Sequence, residues 1–213
     1  MRFLSIFILV LWAGFTQANE NARIQLLGDS LMATHVLTGR SVPNVLSRVL
    51  EEPVANRSLT GAMMRGVSRQ YTAGDYEWVV LNGGGNDLWL GCGCADCDER
   101  MARVISEDGS AGMLPDLVAR IRADGARVIY VGYLRSPGFG SPIEHCRDDG
   151  DEMERRVSLM ANAMDGVWLM SNKELVPSGD KSFHAFDRIH PSVKGSRVIG
   201  KRIASVIRQL DER

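Results

Sequence analysis

Arg23-Ile24-Gln25-Leu26-Leu27-Gly28-Asp29-Ser30-Leu31 is the stretch that decides the fold. Ile24 to Leu27 reads as a short buried strand that runs into a Gly-Asp-Ser turn, with a helix beginning near Leu31. Gly28 lets the chain turn sharply, and Asp29 can hydrogen-bond that turn. Ser30 then falls at the carboxyl edge of a sheet, where open α/β folds place their ligands. Its own N–H faces outward at the start of a helix, suited to a developing negative charge. Taken alone, the same residues describe an ordinary helix cap, so the rest of the chain carries the argument.

Four further apolar runs follow at intervals: Pro53–Asn56, Glu77–Asn82, Ala126–Tyr133 and Val167–Met170. Between them lie helix-like segments at 42–50, 61–70, 98–107, 114–124 and 151–164, and a closing helix from Val193 to Leu210. Its apolar stripe is Val198, Ile199, Ile203, Val206, Ile207 and Leu210. Strands alternating with helices predict a parallel sheet covered on both faces. The expectation is an α/β three-layer α/β/α sandwich, flavodoxin-like, with about five parallel strands. Residues 134–150 read as one long Pro/Gly-rich loop.

The chain has 213 residues, 45% of them hydrophobic, and a formal net charge of −1. That balance suits one globular domain and gives no field drawing it to nucleic acid. Residues 1–18 have a short positive end, an apolar run to Phe15 and small residues at Thr16 and Ala18, the pattern of a secretory signal. The expected organisation is a signal at 1–18 and a single catalytic domain at 19–213, exported to periplasm or medium without stable membrane insertion. Export favours disulfides among Cys92, Cys94, Cys97 and Cys146 over a zinc site. A Cys92–Cys94 bond looks strained, so Cys146 is expected to pair with a member of the cluster.

Near the C-terminus stands Asp187-Arg188-Ile189-His190-Pro191. An acid three residues before a histidine can bond the ring Nδ1–H and leave Nε2 to take a proton from a serine. His184, three residues before Asp187, is the rival base; His190 is preferred because Pro191 and the following helix hold its backbone. His35 and His145 read as ordinary loop histidines. Donors for an oxyanion are available in Asn56-Arg57-Ser58-Leu59-Thr60-Gly61 and in Gly84-Gly85-Asn86-Asp87. The triple glycine does not read as a phosphate cradle, since no Gly-Lys-Ser/Thr and no GxGxxG with a downstream acid accompanies it.

With these blocks in order, the chain resembles the SGNH, or GDSL, hydrolase family over roughly residues 23–210. Gly28-Asp29-Ser30 matches the first block, Gly61 the second, Gly84-Gly85-Asn86-Asp87 the third and Asp187–His190 the fifth. The first half looks closest to the secreted arylesterase, thioesterase and lysophospholipase branch. The resemblance implies a catalytic triad of Ser30, Asp187 and His190, an oxyanion hole of Ser30, Gly61 and Asn86, and no cofactor or metal. It implies a serine esterase acting on (thio)esters through an acyl-enzyme. The lack of an apolar lid helix leans toward short or medium acyl chains. Trp89, Phe139 and Phe183 are candidate substrate contacts, as are Leu88, Leu90 and Phe186. The Cys-rich insert at 91–97 and the loop at 134–150 depart from the family pattern. Two other readings remain: a carbohydrate O-acetyl esterase of the same fold, and a catalytically silent acyl- or sugar-binding protein.

Overall fold

The computed structural model describes residues 22–138 and 140–212. The expected signal at 1–18, and Phe139, lie outside the described residues. Five strands, β1 (Ile24–Leu27), β2 (Val54–Asn56), β3 (Trp78–Leu81), β4 (Arg127–Val131) and β5 (Val167–Met170), form one parallel sheet in the order β2-β1-β3-β4-β5. The α/β sandwich read from the sequence is therefore the fold.

Alternation along each strand explains the two covered faces. Ile24, Leu26, Trp78, Val80, Ile129 and Val131 point to one side. There they pack on α2 (Val42–Leu50) and on α8 (Val193–Asp211), through Val42, Leu46, Ile199, Ile203 and Ile207. Leu27, Val79, Leu81, Val128 and Tyr130 point to the other. They meet α3 (Met64–Gln70), α5 (Asp98–Val104), α6 (Met113–Ala123) and α7 (Arg147–Ala163). Full burial of each aliphatic side chain stabilises by about 1.5–3 kcal/mol, so the sheet's register is strongly fixed by its sidedness.

Two short helices at the carboxyl edge matter for the site. The first, α1 (Ser30–Ala33), is capped by Asp29, whose Oδ1 accepts the Leu31 N–H at 2.9 Å. The second, α4 (Gly85–Trp89), begins inside the triple glycine, which the sequence reads only as a donor loop. The long loop is also shorter than expected, because α7 starts at Arg147 rather than 151 and contains Gly150. Glycine inside a helix costs about 0.5–1 kcal/mol relative to alanine, which is why the sequence pattern places the boundary after it. Asp148 and Asp149 in the first turn offset part of that cost.

The turn after β1 is clamped from a distance. Gly28 donates its N–H to Gln70 Oε1 at 2.7 Å and accepts from Gln70 Nε2 at 2.9 Å. A Cβ on residue 28 would come within 2.8 Å of Met32 Cγ, so only glycine fits under α1. Two disulfides, Cys92–Cys97 and Cys94–Cys146, staple the insert that follows α4. Cys146 pairs with the cluster as expected. That bond spans 52 residues, and closing a loop of that length stabilises by about 4 kcal/mol on a chain-entropy argument.

Gln70→Ala leaves the buried Gly28 N–H without its side-chain acceptor, while the Gly28 carbonyl keeps the Leu59 N–H. It is expected to cost roughly 1–3 kcal/mol, chiefly from the one unmade buried hydrogen bond, read as a lower urea midpoint with an unchanged m-value.

Candidate active site

The strand order reverses between β1 and β3: the chain leaves β1 toward β2 and β3 toward β4. Such a switch point opens a crevice at the carboxyl edge. Ser30 lies just beyond β1 and Asn86 just beyond β3, and both line one cavity of about 110 Å³, together with Asp29, Tyr133, Ile189, His190 and Pro191. Its wall also includes Leu88, Trp89, Leu134, Ile143, Met153 and the Cys94–Cys146 bond, with Arg135, Ser136 and Arg147 beside them.

The Asp187–His190 segment is a closed loop. Ala185 N–H donates to His190 O at 2.8 Å, Ser192 N–H donates to Phe183 O at 2.8 Å, and Ser192 caps α8 through Gly195 N–H. Inside it, Asp187 Oδ2 accepts from His190 Nδ1 at 2.7 Å. Asp187 Oδ1 accepts the Ile189 and His190 N–H groups, both at 3.0 Å. Partial burial pushes the Asp187 carboxyl up, but the His190 ring and those two N–H donors outweigh it and hold it below the usual carboxylate range. The ring is thereby fixed with Nε2 turned away from the acid. The Ser30 hydroxyl makes no hydrogen bond to that ring among the described residues; the two groups share the cavity wall.

His184, the rival base, is buried, and neither of its ring nitrogens has a partner among the described residues. Burial lowers its pKa. Asp187 is committed to His190, so His184 stands apart from the pair.

Asn86 donates from Nδ2 to Ala62 O at 3.0 Å, which fixes the amide plane. An amide nitrogen carries two hydrogens, and Asn86 also lines the cavity. Asp87 Oδ2 accepts the Met64 N–H at 2.6 Å. Together they bind the Gly61–Met64 segment to α4. Burial pushes the Asp87 carboxyl up, opposed by the Met64 N–H. Gly61 is exposed with φ +78° and is outside the cavity lining.

Of the candidate substrate contacts, Trp89 and Leu88 are in the cavity wall and Phe183 is not. Phe183 is buried beside α8, with Lys194 Nζ 4.0 Å from its ring centre. Phe186 is 99% exposed, at the outside of the loop closed between Ala185 and His190, and Leu90, at the end of α4, is 55% exposed.

Two residues that sequence reasoning passed over bind the site together. Tyr133 Oη donates to Asp29 Oδ2 at 2.5 Å and accepts the Gly85 N–H at 3.0 Å. The turn bearing Ser30 is thus joined through one phenol to the helix bearing Asn86. Burial pushes the Asp29 carboxyl up, against the hydrogen bonds from Tyr133 and the Leu31 N–H. Burial, then the Asp29 charge, pushes the Tyr133 phenol well up. His35 Nε2 donates to Pro191 O at 3.0 Å, tying the end of α1 to the His190 loop. The one sequence signal at Tyr133 is its place just after β4, at the ligand edge; His35 has none. Cys94, His145 and Cys146 cluster closely, but both thiols are spent in the disulfide and offer no thiolate to a metal.

Comparison with curated proteins gives no match. Among solved structures, a lipase/acylhydrolase from Enterococcus faecalis is 19% identical, with a TM-score of 0.65, covering 86% of this chain and 94% of its own. A protein assigned as an SGNH hydrolase from Slackia heliotrinireducens is 20% identical, with a TM-score of 0.64, covering 87% and 98%. A family two carbohydrate esterase from Clostridium thermocellum is 14% identical, with a TM-score of 0.58, covering 89% and 64%. At these identities the likeness is one of fold. The profile of the GDSL-like lipase/acylhydrolase family matches residues 26–198. With the family's blocks gathered at one sheet edge, this chain belongs to the GDSL-like lipase/acylhydrolase family and is an ester hydrolase of the SGNH type.

Proposed function

We propose that the protein hydrolyses carboxylic esters or thioesters of short to medium acyl chains through a Ser30–His190–Asp187 triad and an acyl-enzyme. The observation that carries this is the 2.7 Å Asp187–His190 bond in the wall of a cavity that also contains Ser30 and Asn86. Ser30 Oγ attacks the acyl carbon as His190 Nε2 takes its proton. Asp187 keeps the ring's Nδ1–H in place and stabilises the imidazolium. The carbonyl oxygen gains negative charge and is held by the Ser30 N–H and the second Asn86 amide hydrogen, while Gly61, the third donor the resemblance implies, lies outside the cavity wall. His190 then protonates the leaving alcohol or thiol. Water adds to the acyl-enzyme with the same base, releasing the acid and restoring Ser30. No step calls for a metal or cofactor. Substrate approach has to draw the Ser30 hydroxyl and the His190 ring into direct contact, as catalytic hydrogen bonds commonly tighten on binding.

Export is part of this reading: both disulfides suit an oxidising compartment, and no helix among the described residues is long and apolar enough to cross a membrane. The carbohydrate esterase among the fold's neighbours keeps acetylated sugars as a second reading. The mostly apolar wall of the cavity favours acyl chains over a sugar. A silent binding protein has no use for an ionised acid aligned on a histidine.

The direct test is a panel of p-nitrophenyl esters of rising chain length against acetylated sugars, with fluorophosphonate labelling. Ser30→Ala is expected to abolish both labelling and turnover; retained turnover removes the nucleophile. Asn86→Ala is expected to lower kcat by roughly 10²–10³. Asp187→Asn is expected to lower kcat by roughly 10⁴ through the wrong ring tautomer. Because the folded Asp187 carboxyl lies below its usual range, its bond to His190 is fully present above that range and is lost only at lower pH still. The Asp187 carboxylate is therefore expected to stay ionised across the acid limb of kcat/KM, which is expected to show a single proton in the pH profile. Tyr133→Phe cuts the link between the Ser30 turn and α4. It is expected to lower kcat at least tenfold with KM nearly unchanged, whereas a purely structural role shifts the melting temperature without that split.

A further inference from the structure

Gly150 is a residue that the fold itself does not demand. It lies in the first turns of α7, where glycine is the poorest helix former after proline. Its φ is not left-handed, and a Cβ built on it meets nothing nearer than Arg135 Cζ at 4.0 Å. Neither backbone conformation nor a close neighbour calls for glycine there. Gly150 lines the same cavity as Ser30 and His190.

The far end of that cavity is built by this chain's own insert. Cys146, one turn before Gly150, is bonded to Cys94 in the 91–97 segment, so α7 is held against the strand of chain that leaves α4. Trp89 and Ile143 flank the space, and Met153 lies one turn beyond Gly150. Most of its wall is apolar, with Arg135, Ser136 and Arg147 at the side, and apolar cavities take up apolar guests.

Resting on the ester-hydrolase reading above, we propose that this disulfide-walled space is the acyl-chain pocket, and that the missing side chain at Gly150 sets the length it accepts. An apolar cavity of about 150 Å³ holds a benzene ring, so a cavity of about 110 Å³ that also seats the ester carbonyl takes a short linear acyl chain. The ester carbonyl sits between Ser30 and Asn86, and the chain runs past Gly150 toward Met153.

The test compares kcat/KM for p-nitrophenyl acetate, butyrate, hexanoate and octanoate in the wild type, Gly150→Ala, Gly150→Leu and Ile143→Ala, each alongside fluorophosphonate labelling. The hexanoate-to-acetate ratio is expected to fall at least tenfold in Gly150→Leu, to fall less in Gly150→Ala, and to rise in Ile143→Ala with the optimum moved to longer chains. Ratios within twofold of wild type in labelled variants overturn the pocket assignment alone. A wild type that neither labels nor turns over esters removes the hydrolase reading and this assignment with it. If Gly150→Leu does not fold, the ratio in Ile143→Ala decides.

Discussion

β1 and β3 lie side by side, yet the chain leaves them in opposite directions, which opens a crevice between their carboxyl ends. Backbone groups at that edge are left to be satisfied by side chains, because an unpaired buried N–H or C=O is costly. Gln70 takes both polar groups of Gly28. Tyr133 spans from Asp29 to the Gly85 N–H. Asn86 and Asp87 hold the segment after β2 through Ala62 O and the Met64 N–H. The residues that close the crevice are also those that fix the positions of Ser30 and Asn86, so the site's rigidity and the sheet edge's satisfaction are the same set of bonds.

Charge is distributed with the same economy. Asp29 and Asp87 are buried carboxyls used as acceptors for backbone N–H groups, and burial pushes both upward. Asp187, half-buried and fed by three donors, is the acid held down. A carboxylate that is to stabilise an imidazolium has to stay ionised, and of the three acids near the crevice it is the one whose surroundings favour charge.

What could be read from the string is what depends on neighbours in sequence. Ile24–Leu27 is apolar enough to be buried on both faces, and Val167–Met170 carries the same signal; both are strands with the expected bounds. The Asp187–His190 spacing is likewise local, and its hydrogen bond is present. Tertiary placement was not legible. Phe183 and Phe186 are three residues apart and equally apolar, yet one is buried and the other bare, because a pairing across the loop decides which way each points. The start of α4 at Gly85 runs against propensity, since Gly84 must take φ +99° and Tyr133 must accept the Gly85 N–H before a helix can begin there. Tyr133 and His35 act on partners 104 and 156 residues away, a distance at which no sequence pattern speaks.

The Cys94–Cys146 bond separates two properties that most hydrolases hold together. Ser30, Asp187 and His190 sit on segments anchored by β1 and α8, and none of their hydrogen bonds passes through the insert. The far wall of the cavity, in contrast, is joined across 52 residues by a bond that forms only where thiols are oxidised. With those thiols reduced, the segments that carry Ser30, Asp187 and His190 keep every one of these bonds, while the far wall of the cavity loses the tie that fixes its width.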